Sequence, residues 1–254
     1  SALRVPVTCA DAILGEPPAE PFDIVAGNPP WVGWECLPEE YRAAIRHLWD
    51  RHGLFSGGAP AARMQHLLGR ARKDLSMLAT FVAADRWLVS GGRLAFVLPR
   101  TLFQMAGSAE GFRRMTLPGG VPLGAIGIDD VTMLWPFGPG GAPCVVAAFE
   151  KGRATRWPVP WSVCGRDGEE PAISVALPVD DADVGSPWMI APAERVRDLR
   201  GRLGRSACRA RAGAYTGGAN GVYWMRLLER REDGLCRVEN LAEVGLRPQP
   251  RVEA

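Results

Sequence analysis

The sequence predicts an α/β fold whose sheet is mostly parallel. Three apolar segments of strand length, Phe22–Ala26, Arg93–Leu98 and Cys144–Phe149, are separated by segments in which apolar residues recur at helical spacing. The run at Phe22–Ala26 is typical of a strand buried on both faces of a parallel sheet. Alternation of strands and helices favours a doubly wound arrangement.

Two helices are predicted between the first two strands. Pro38 fits the first turn of one helix, and the acids that follow it lie near the positive end of the helix dipole. Asp74 is expected to cap the other, which ends at Gly91-Gly92. Their apolar faces are Tyr41, Ile45, Leu48 and Trp49 in the first helix and Leu75, Leu78, Phe81, Ala84 and Leu88 in the second. The glycine-rich and then basic segment Ser56–Arg72 is expected to be a mobile loop over a site or a plain disordered loop.

Shorter elements complete the pattern. Residues 4–12 are expected to form a short strand that runs into a turn at Asp11. Thr101–Leu117 is predicted to be helical with a break near Gly107, and Val121–Ile128 to be a strand. Between residues 153 and 192 the pattern weakens into Trp, Pro and short apolar pieces, which indicates a connecting region.

Composition bounds the class of protein. With 254 residues, of which 47% are hydrophobic, the chain can bury one core and a smaller appendage. Its six cysteines lack Cys-x-x-Cys spacing, so we expect no metal site, and without a signal peptide a cytoplasmic location is predicted. The apolar runs are too short to cross a bilayer. A net charge of +2 does not by itself indicate nucleic-acid binding, but seven arginines between positions 195 and 211 form either a phosphate-binding stripe or a solvated helix face.

The turn Asn28-Pro29-Pro30-Trp31 directly follows the first predicted strand. Its residue types suit a flat ring that carries an exocyclic amino group. The Asn28 amide oxygen and the Pro29 carbonyl can accept the two N–H groups, and Trp31 offers a face for stacking. The prolines restrict the backbone that presents these groups. An amine held in this way keeps its lone pair directed at an electrophile; the simpler interpretation is a strand followed by a proline turn.

Residues 22–31 resemble the catalytic motif of the N6-adenine DNA methyltransferases, in which Asn/Asp-Pro-Pro-Tyr/Trp/Phe follows a buried strand. Relatives that methylate protein glutamine or the exocyclic amine of RNA guanine share the motif, usually with Tyr, whereas this chain has Trp31. The next two blocks of the family resemble Asp74-Leu75 with its helix, and Gly91–Pro99. Order and spacing both agree.

Two later segments extend the resemblance. Pro136–Lys151 resembles the block in which an aromatic residue precedes an apolar strand ending in Lys. That aromatic helps to sandwich a flipped base in the family, and Phe137 and Trp135 are both candidates here. Ala214–Tyr223 resembles the stretch that opens the target-recognition region of large restriction and phage-defence methyltransferases. The residues expected to contact DNA are Arg202, Arg205, Arg209, Thr216 and Asn220.

The resemblance implies an incomplete Rossmann-like, S-adenosylmethionine-dependent methyltransferase fold followed by the start of a recognition domain. The family's Asp/Glu-x-x-x-Gly-x-Gly cofactor turn does not precede Asp11 here. The chain is therefore expected to be the back half of such an enzyme, completed by a missing N-terminal part or a partner chain. The expected boundaries are 1–152 for the catalytic part, 153–192 for the connection and 193–254 for the recognition part.

The activity implied by the resemblance is site-specific methylation of adenine N6 in double-stranded DNA, with S-adenosylmethionine as the cofactor. The expected catalytic residues are Asn28, Pro29, Pro30 and Trp31. Asp11 and Asn28 are the expected cofactor contacts, although Asp11 also fits a plain turn aspartate. Two alternatives stay open: an inactive DNA-binding or scaffold fragment, and a methyltransferase that acts on protein glutamine or RNA.

Overall fold

The structure is a computed structural model that describes residues 7–55, 73–138, 141–166, 169–203, 225–232 and 234–240. The chain divides into two compact units, Ser1–Leu203 and Gly204–Ala254. The helices are α1 (Glu39–Arg51), α2 (Leu75–Trp87), α3 (Thr101–Gln104), α4 (Glu110–Arg113) and α5 (Val196–Gly201). The strands are β1 (Phe22–Gly27), β2 (Leu88–Pro99), β3 (Leu123–Asp130), β4 (Cys144–Lys151), β5 (Val159–Val163), β6 (Ala172–Pro178), β7 (Trp188–Ala191), β8 (Met225–Arg230) and β9 (Cys236–Asn240).

The first unit is built on a seven-stranded sheet in the order β1-β2-β4-β3-β5-β6-β7. Its neighbouring strands pair in parallel at β1–β2 and β3–β5 and antiparallel at the other four contacts. Only β4 and β6 run against the rest, so five of the seven strands point in one direction. The predicted α/β class with a Rossmann-like sheet is confirmed, with mixed pairing between neighbours.

Helix α2 supplies much of the core beneath this sheet. Asp74 caps it as predicted, because its carboxylate accepts a hydrogen bond from the Ser76 backbone N–H. Met77, Leu78 and Phe81 are fully buried. Trp49 of α1 packs into the same hydrophobic cluster, which confirms the predicted apolar face of that helix.

The sequence pattern predicts that α2 ends at Gly91-Gly92, and this prediction is wrong. Helix α2 already stops at Trp87, and both glycines lie inside β2. Gly91 has a φ of +80°, a conformation that side chains with a Cβ rarely adopt. The pairing of β1 with β2 shifts register between Phe22 and Ile24, opposite this point. The glycines therefore mark an irregularity in a strand. Such an irregularity and the end of a helix both favour glycine, because both require a backbone conformation that other residues rarely adopt.

Strand β1 lies at the outer edge of the described sheet and pairs on one side only, with β2. Its side chains are exposed accordingly: Phe22 is 47% exposed and Ile24 is 70% exposed. The prediction that this strand is buried on both faces is therefore wrong for the described residues. The apolar run was enough to indicate a strand, but burial requires neighbours on both sides.

The segment 153–192, expected as a connection, contributes the three strands β5, β6 and β7 to the main sheet. Trp161 of β5 is completely buried and Trp188 of β7 nearly so. The first compact unit accordingly continues to Leu203 instead of stopping at residue 152. Strands of four to seven residues with irregular patterns lack the long periodicity that identifies an element from sequence alone.

The remaining predicted elements agree with the structure only in part. Thr101–Leu117 contains α3 and α4 separated by a break around Gly107, as expected. Residues 7–12 contain no strand, and only the turn at Asp11 is present. The loop Ser56–Arg72 lies outside the described residues. The second unit contains the β8–β9 hairpin.

Candidate functional site

The turn Asn28-Pro29-Pro30-Trp31 leaves the carboxyl end of β1, which is where ligands bind in open α/β sheets. Pro29 is buried, whereas Asn28 and Pro30 are exposed and Trp31 is half-buried. The corner is therefore anchored by one proline while its amide side chain is open to solvent. This arrangement is compatible with a ligand that approaches Asn28 from outside.

Trp31 is fixed to the neighbouring strand. Its indole Nε1 donates a hydrogen bond of 3.1 Å to the backbone carbonyl of Val97 in β2. The ring of Phe137 lies against it with 5.1 Å between ring centroids and an interplanar angle of 75°, an edge-to-face contact. The structure thus brings together two of the predicted stacking residues from segments that are distant in sequence.

Trp135, the other candidate for base stacking, lies in a different environment. The guanidinium carbon of Arg166 lies 3.7 Å from the centroid of its ring, which is a cation–π contact. Among the described residues, the aromatic contact of Trp31 from this segment is with Phe137. Of the two candidates, Phe137 therefore lies against Trp31, whereas Trp135 lies against Arg166.

The segment after the turn is braced by the residues that start α2. The backbone N–H of Trp34 donates to the carbonyl of Lys73 at 2.7 Å, and that of Leu75 donates to the carbonyl of Val32 at 2.8 Å. Gly33 and Asp74 form an isolated antiparallel bridge between these two hydrogen bonds. The exit of the turn is therefore held against the amino end of a buried helix.

Lys73 is a structural residue of this region that sequence reasoning did not single out. Its side chain is buried, and Nζ donates to the backbone carbonyls of Leu54 at 2.6 Å and Ser108 at 2.7 Å. Burial lowers the pKa of this amine to about 8. The scarcity of lysine, two in the whole chain, was the signal that could have drawn attention to it.

A hydrogen-bonded cluster supports the loop that carries Phe137. The Asp130 carboxylate accepts from the Thr132 backbone N–H at 3.1 Å, and the Thr132 hydroxyl accepts from the Cys144 backbone N–H at 3.1 Å. Asp130 is buried and forms an ion pair of 3.0 Å with Arg100, which follows β2. The ends of β2 and β3 and the start of β4 are thereby tied together at the same edge of the sheet as Asn28.

Asp11 occupies the predicted turn, and most of its contacts are local. Its carboxylate accepts from the backbone N–H groups of Ile13 at 2.7 Å and Leu14 at 2.8 Å. Burial tends to raise the pKa of Asp11, but these two hydrogen bonds and one from the Tyr41 hydroxyl outweigh burial and lower it. Burial, together with the hydrogen bond to Asp11, raises the pKa of Tyr41 to about 12. The contacts with Ile13 and Leu14 stabilise the turn that Asp11 begins.

The predicted DNA contacts are described only in part. Arg202 is exposed and forms an ion pair of 3.1 Å with Asp198, one turn earlier in α5. Arg200 is paired with Asp181. The other four candidates lie outside the described residues: Arg205, Arg209, Thr216 and Asn220.

Within the part of the chain that the structure describes, no group of three or more His, Cys, Asp or Glu side chains is placed to hold a metal ion. The same part of the chain contains no helix that is both long and apolar enough to span a membrane.

The fold and the turn together define an α/β protein with an asparagine-proline corner at the carboxyl end of an edge strand. No protein-family model matches the sequence, and no curated protein matches it either. Several solved structures show a partial likeness. The chain is similar to the type IIL restriction-modification enzyme MmeI in complex with DNA, at 17% identity and a TM-score of 0.35, over 60% of this chain and 18% of that one.

Two further structures are similar to a comparable degree. One is the DrdV–DNA complex, at 15% identity and a TM-score of 0.42, over 66% of this chain and 18% of that one. The other is the methyltransferase subunit of a type I restriction-modification system from Streptococcus thermophilus, at 14% identity and a TM-score of 0.36, over 77% of this chain and 40% of that one. The chain thus spans less than half of the length of each of these proteins.

Proposed function

We propose that the protein methylates the N6 atom of adenine in double-stranded DNA, using S-adenosylmethionine and a target base flipped out of the duplex. The observation that carries this proposal is the geometry of the turn. Asn28 is open to solvent at the carboxyl edge of the sheet, next to a Trp31 indole that is fixed by its hydrogen bond to Val97. An exposed amide acceptor beside a fixed aromatic face suits a planar ring with an amino substituent.

In the proposed mechanism the chain acts mainly by positioning and polarising the target amine. The Asn28 amide oxygen and the Pro29 carbonyl accept the two N6 hydrogens and keep the nitrogen lone pair available. S-adenosylmethionine supplies the electrophilic methyl group when it is bound. Base flipping costs a few kcal/mol of lost stacking and pairing, which contacts in the site must offset. Catalysis of this kind needs neither a metal ion nor a covalent enzyme intermediate.

Trp31 and Phe137 are the proposed stacking residues. Their rings contact each other edge to face, so the space between them is closed to a base as it stands. Phe137 is 50% exposed and follows Trp135 in a loop, whereas Trp31 is tied to β2. We therefore propose that Trp31 provides the fixed face and that Phe137 moves to cover a base stacked on it.

The described residues fit only part of a cofactor site. Asn28 is exposed at the carboxyl end of β1, where a cofactor would be expected to bind. The Asp11 carboxylate can accept further hydrogen bonds beyond its local ones, because a carboxylate has about four acceptor sites. A purine amine of the cofactor is the group that this carboxylate suits. The proposed site thus requires further residues to hold the rest of the molecule.

Those residues are proposed to come from a segment that pairs with β1, either in the same protein or in a partner chain. Within the described sheet β1 is an edge strand, and Phe22 and Ile24 on it are exposed. Natural edge strands are usually short, charged or covered, whereas this one carries Asp23 as its only charge. An added strand would cover the apolar side chains and extend the carboxyl edge next to Asn28.

The test compares variants of the full-length protein with labelled S-adenosylmethionine and duplex DNA. Asn28→Ala should lower the methylation rate by about 100-fold or more, the size expected when a hydrogen-bonding group of the transition state is removed. DNA affinity should stay near that of the wild type. Asn28→Asp retains an acceptor oxygen and should keep part of the activity.

Hydrolysis of the methylated DNA to nucleosides then identifies the modified base, and equal pools of RNA and protein test the alternative substrates. Methylation of adenine by Asn28→Ala at the wild-type rate would refute the role given to Asn28. DNA binding without any methyl transfer by the wild type would favour the DNA-binding scaffold instead.

A further inference from the structure

The backbone of Trp135 has an unusual conformation for a large residue. Its φ is +48° and its ψ is +53°, in the left-handed region that side chains with a Cβ rarely occupy. Such a backbone conformation is strained and persists only where the surrounding structure fixes it. Trp135 is also 46% exposed, so burial of its ring does not explain the conformation.

Contacts on both sides hold Trp135 in place. Its backbone N–H donates to the carbonyl of Thr132 at 3.2 Å, and its own carbonyl accepts from Gly138 at 2.8 Å. Thr132 belongs to the cluster that includes the buried Asp130. The indole is thus presented at the protein surface by a rigid framework.

Arg166 lies on this indole. Its guanidinium carbon is 3.7 Å from the ring centroid, and its Nε donates to the carbonyl of Met133 at 2.7 Å. Within the described ranges no carboxylate forms an ion pair with Arg166, whereas Arg100 nearby is neutralised by Asp130. Arg166 is therefore an oriented positive charge with no described acidic partner.

The position of Arg166 relates it to the proposed site. The backbone N–H of Cys164 donates to the carbonyl of Asp130 at 2.9 Å, so the chain after β5 leaves the sheet beside the end of β3. Because β1 and β3 run in the same direction, their carboxyl ends lie on the same side of the sheet. Phe137, two residues after Trp135, contacts Trp31 of the turn. The charge is accordingly connected to the site through a short, braced loop.

We propose that Arg166, oriented by the Trp135 ring, contacts a backbone phosphate of the DNA strand next to the flipped base. This inference rests on the proposed function. The planar guanidinium matches the geometry of phosphate oxygens, and a guanidinium already ordered by stacking loses less freedom on binding. A phosphate contact here would hold the sugar-phosphate chain on one side of the extruded nucleotide.

The experiment measures the affinity of the full-length protein for duplex DNA over a sixfold range of salt, from about 50 to about 300 mM, which includes the physiological concentration. Arg166→Ala should weaken binding about fivefold near 0.15 M salt and reduce the slope of log K against log[salt] by about 0.9, the value for one phosphate contact. The loss should be the same for DNA with and without the target sequence.

Two variants make the result specific. Arg166→Lys keeps the charge and should keep the slope, although it loses the planar contact with Trp135. Arg153→Ala is the matched control, because Arg153 follows the carboxyl end of β4 at the opposite edge of the sheet and is paired with Glu150. It should change neither affinity nor slope.

An unchanged slope for Arg166→Ala in a protein that still methylates DNA would overturn the inference and leave the proposed function intact. A fall in slope that Arg153→Ala reproduces would overturn it as well, because the effect would then come from general charge. Failure of the wild type to bind or methylate DNA would refute the proposed function, and the inference with it.

Discussion

Replacement of Lys73 by Met tests how the exit of the turn is held. The ammonium group is buried and donates to the carbonyls of Leu54 and Ser108, which joins three segments of the chain. Met preserves much of the volume but leaves both carbonyls without this donor. An unsatisfied buried acceptor costs about 1–3 kcal/mol. Removal of the buried charge stabilises the folded protein, because the ammonium group no longer has to lose its hydration.

The size of the charge term follows from the pKa. Burial lowers the pKa of Lys73 from 10.5 to about 8. Between these values the unfolded chain binds more protons than the folded protein, so the stability contributed by this group rises with pH. At 1.36 kcal/mol per unit, the cost of the buried ammonium is about 3 kcal/mol at pH 8 and below, and it falls by about 2 kcal/mol by pH 10.

The measurement is urea unfolding of the wild type and Lys73→Met at pH 7, 8, 9 and 10, in steps of about one pH unit across the range in which the Lys73 amine titrates. The difference in free energy of unfolding, wild type minus variant, should grow by about 2 kcal/mol from pH 8 to pH 10. Other groups that titrate in this range affect both proteins equally and cancel. Lys151→Met is the matched control: Lys151 also donates to two backbone carbonyls, and burial lowers its pKa, but its side chain is only half-buried, so a smaller change is expected. A difference that does not change with pH would contradict the assignment of Lys73 as a buried cation.

Two further predictions concern the indole of the turn and a buried histidine. Trp31→Phe keeps an aromatic face but leaves the Val97 carbonyl without its donor, so stability in urea should fall by about 1 kcal/mol and methylation should slow; unchanged unfolding would show that the hydrogen bond does not fix the ring. Burial lowers the pKa of His52 to about 4, so the unfolded chain binds more protons between pH 6.5 and 4 and stability should fall by up to about 3 kcal/mol as the pH drops through this window. His52→Leu should flatten this dependence in a pH series of unfolding curves, and an equal slope in both proteins would contradict the prediction.

Strand β1 has two roles in the proposed activity. The strand places Asn28 at the edge of the sheet but leaves Phe22 and Ile24 exposed within the described residues. The same strand therefore presents the proposed catalytic amide at one end and an apolar edge along its length. A segment that pairs with this edge would stabilise the strand and complete the site in one step, which links assembly to activity.

Several features could be predicted because they depend on neighbours in sequence. The Asp74 cap, the buried face of α1 and the break around Gly107 follow from hydrogen bonds and packing within a few residues. The candidate turn is local in the same sense, since its acceptors and its indole occupy consecutive positions. The turn follows strand β1, as the sequence pattern predicts.

Other features could not be predicted, since they depend on residues far apart in the chain. The Gly91-Gly92 pair has the same local signature at a helix end as inside an irregular strand, and only the pairing of β2 with β1 distinguishes the two. The contact between Trp31 and Phe137, and the separate contact between Trp135 and Arg166, depend on how distant loops meet at the carboxyl ends of the strands. The buried hydrogen bonds of Lys73 likewise join segments that no spacing rule connects.

The sequence by itself determined the α/β class, the positions of the main strands along the chain and the side-chain chemistry of residues 28–31, because apolar periodicity and side-chain type are properties of short segments. Only the tertiary structure decided that residues 153–192 extend the same sheet, that β1 is the exposed edge among the described strands, and that Arg166 lies on Trp135. Those features arise from contacts over long sequence separations, where the energy depends on which surfaces remain to be covered once the strands have paired.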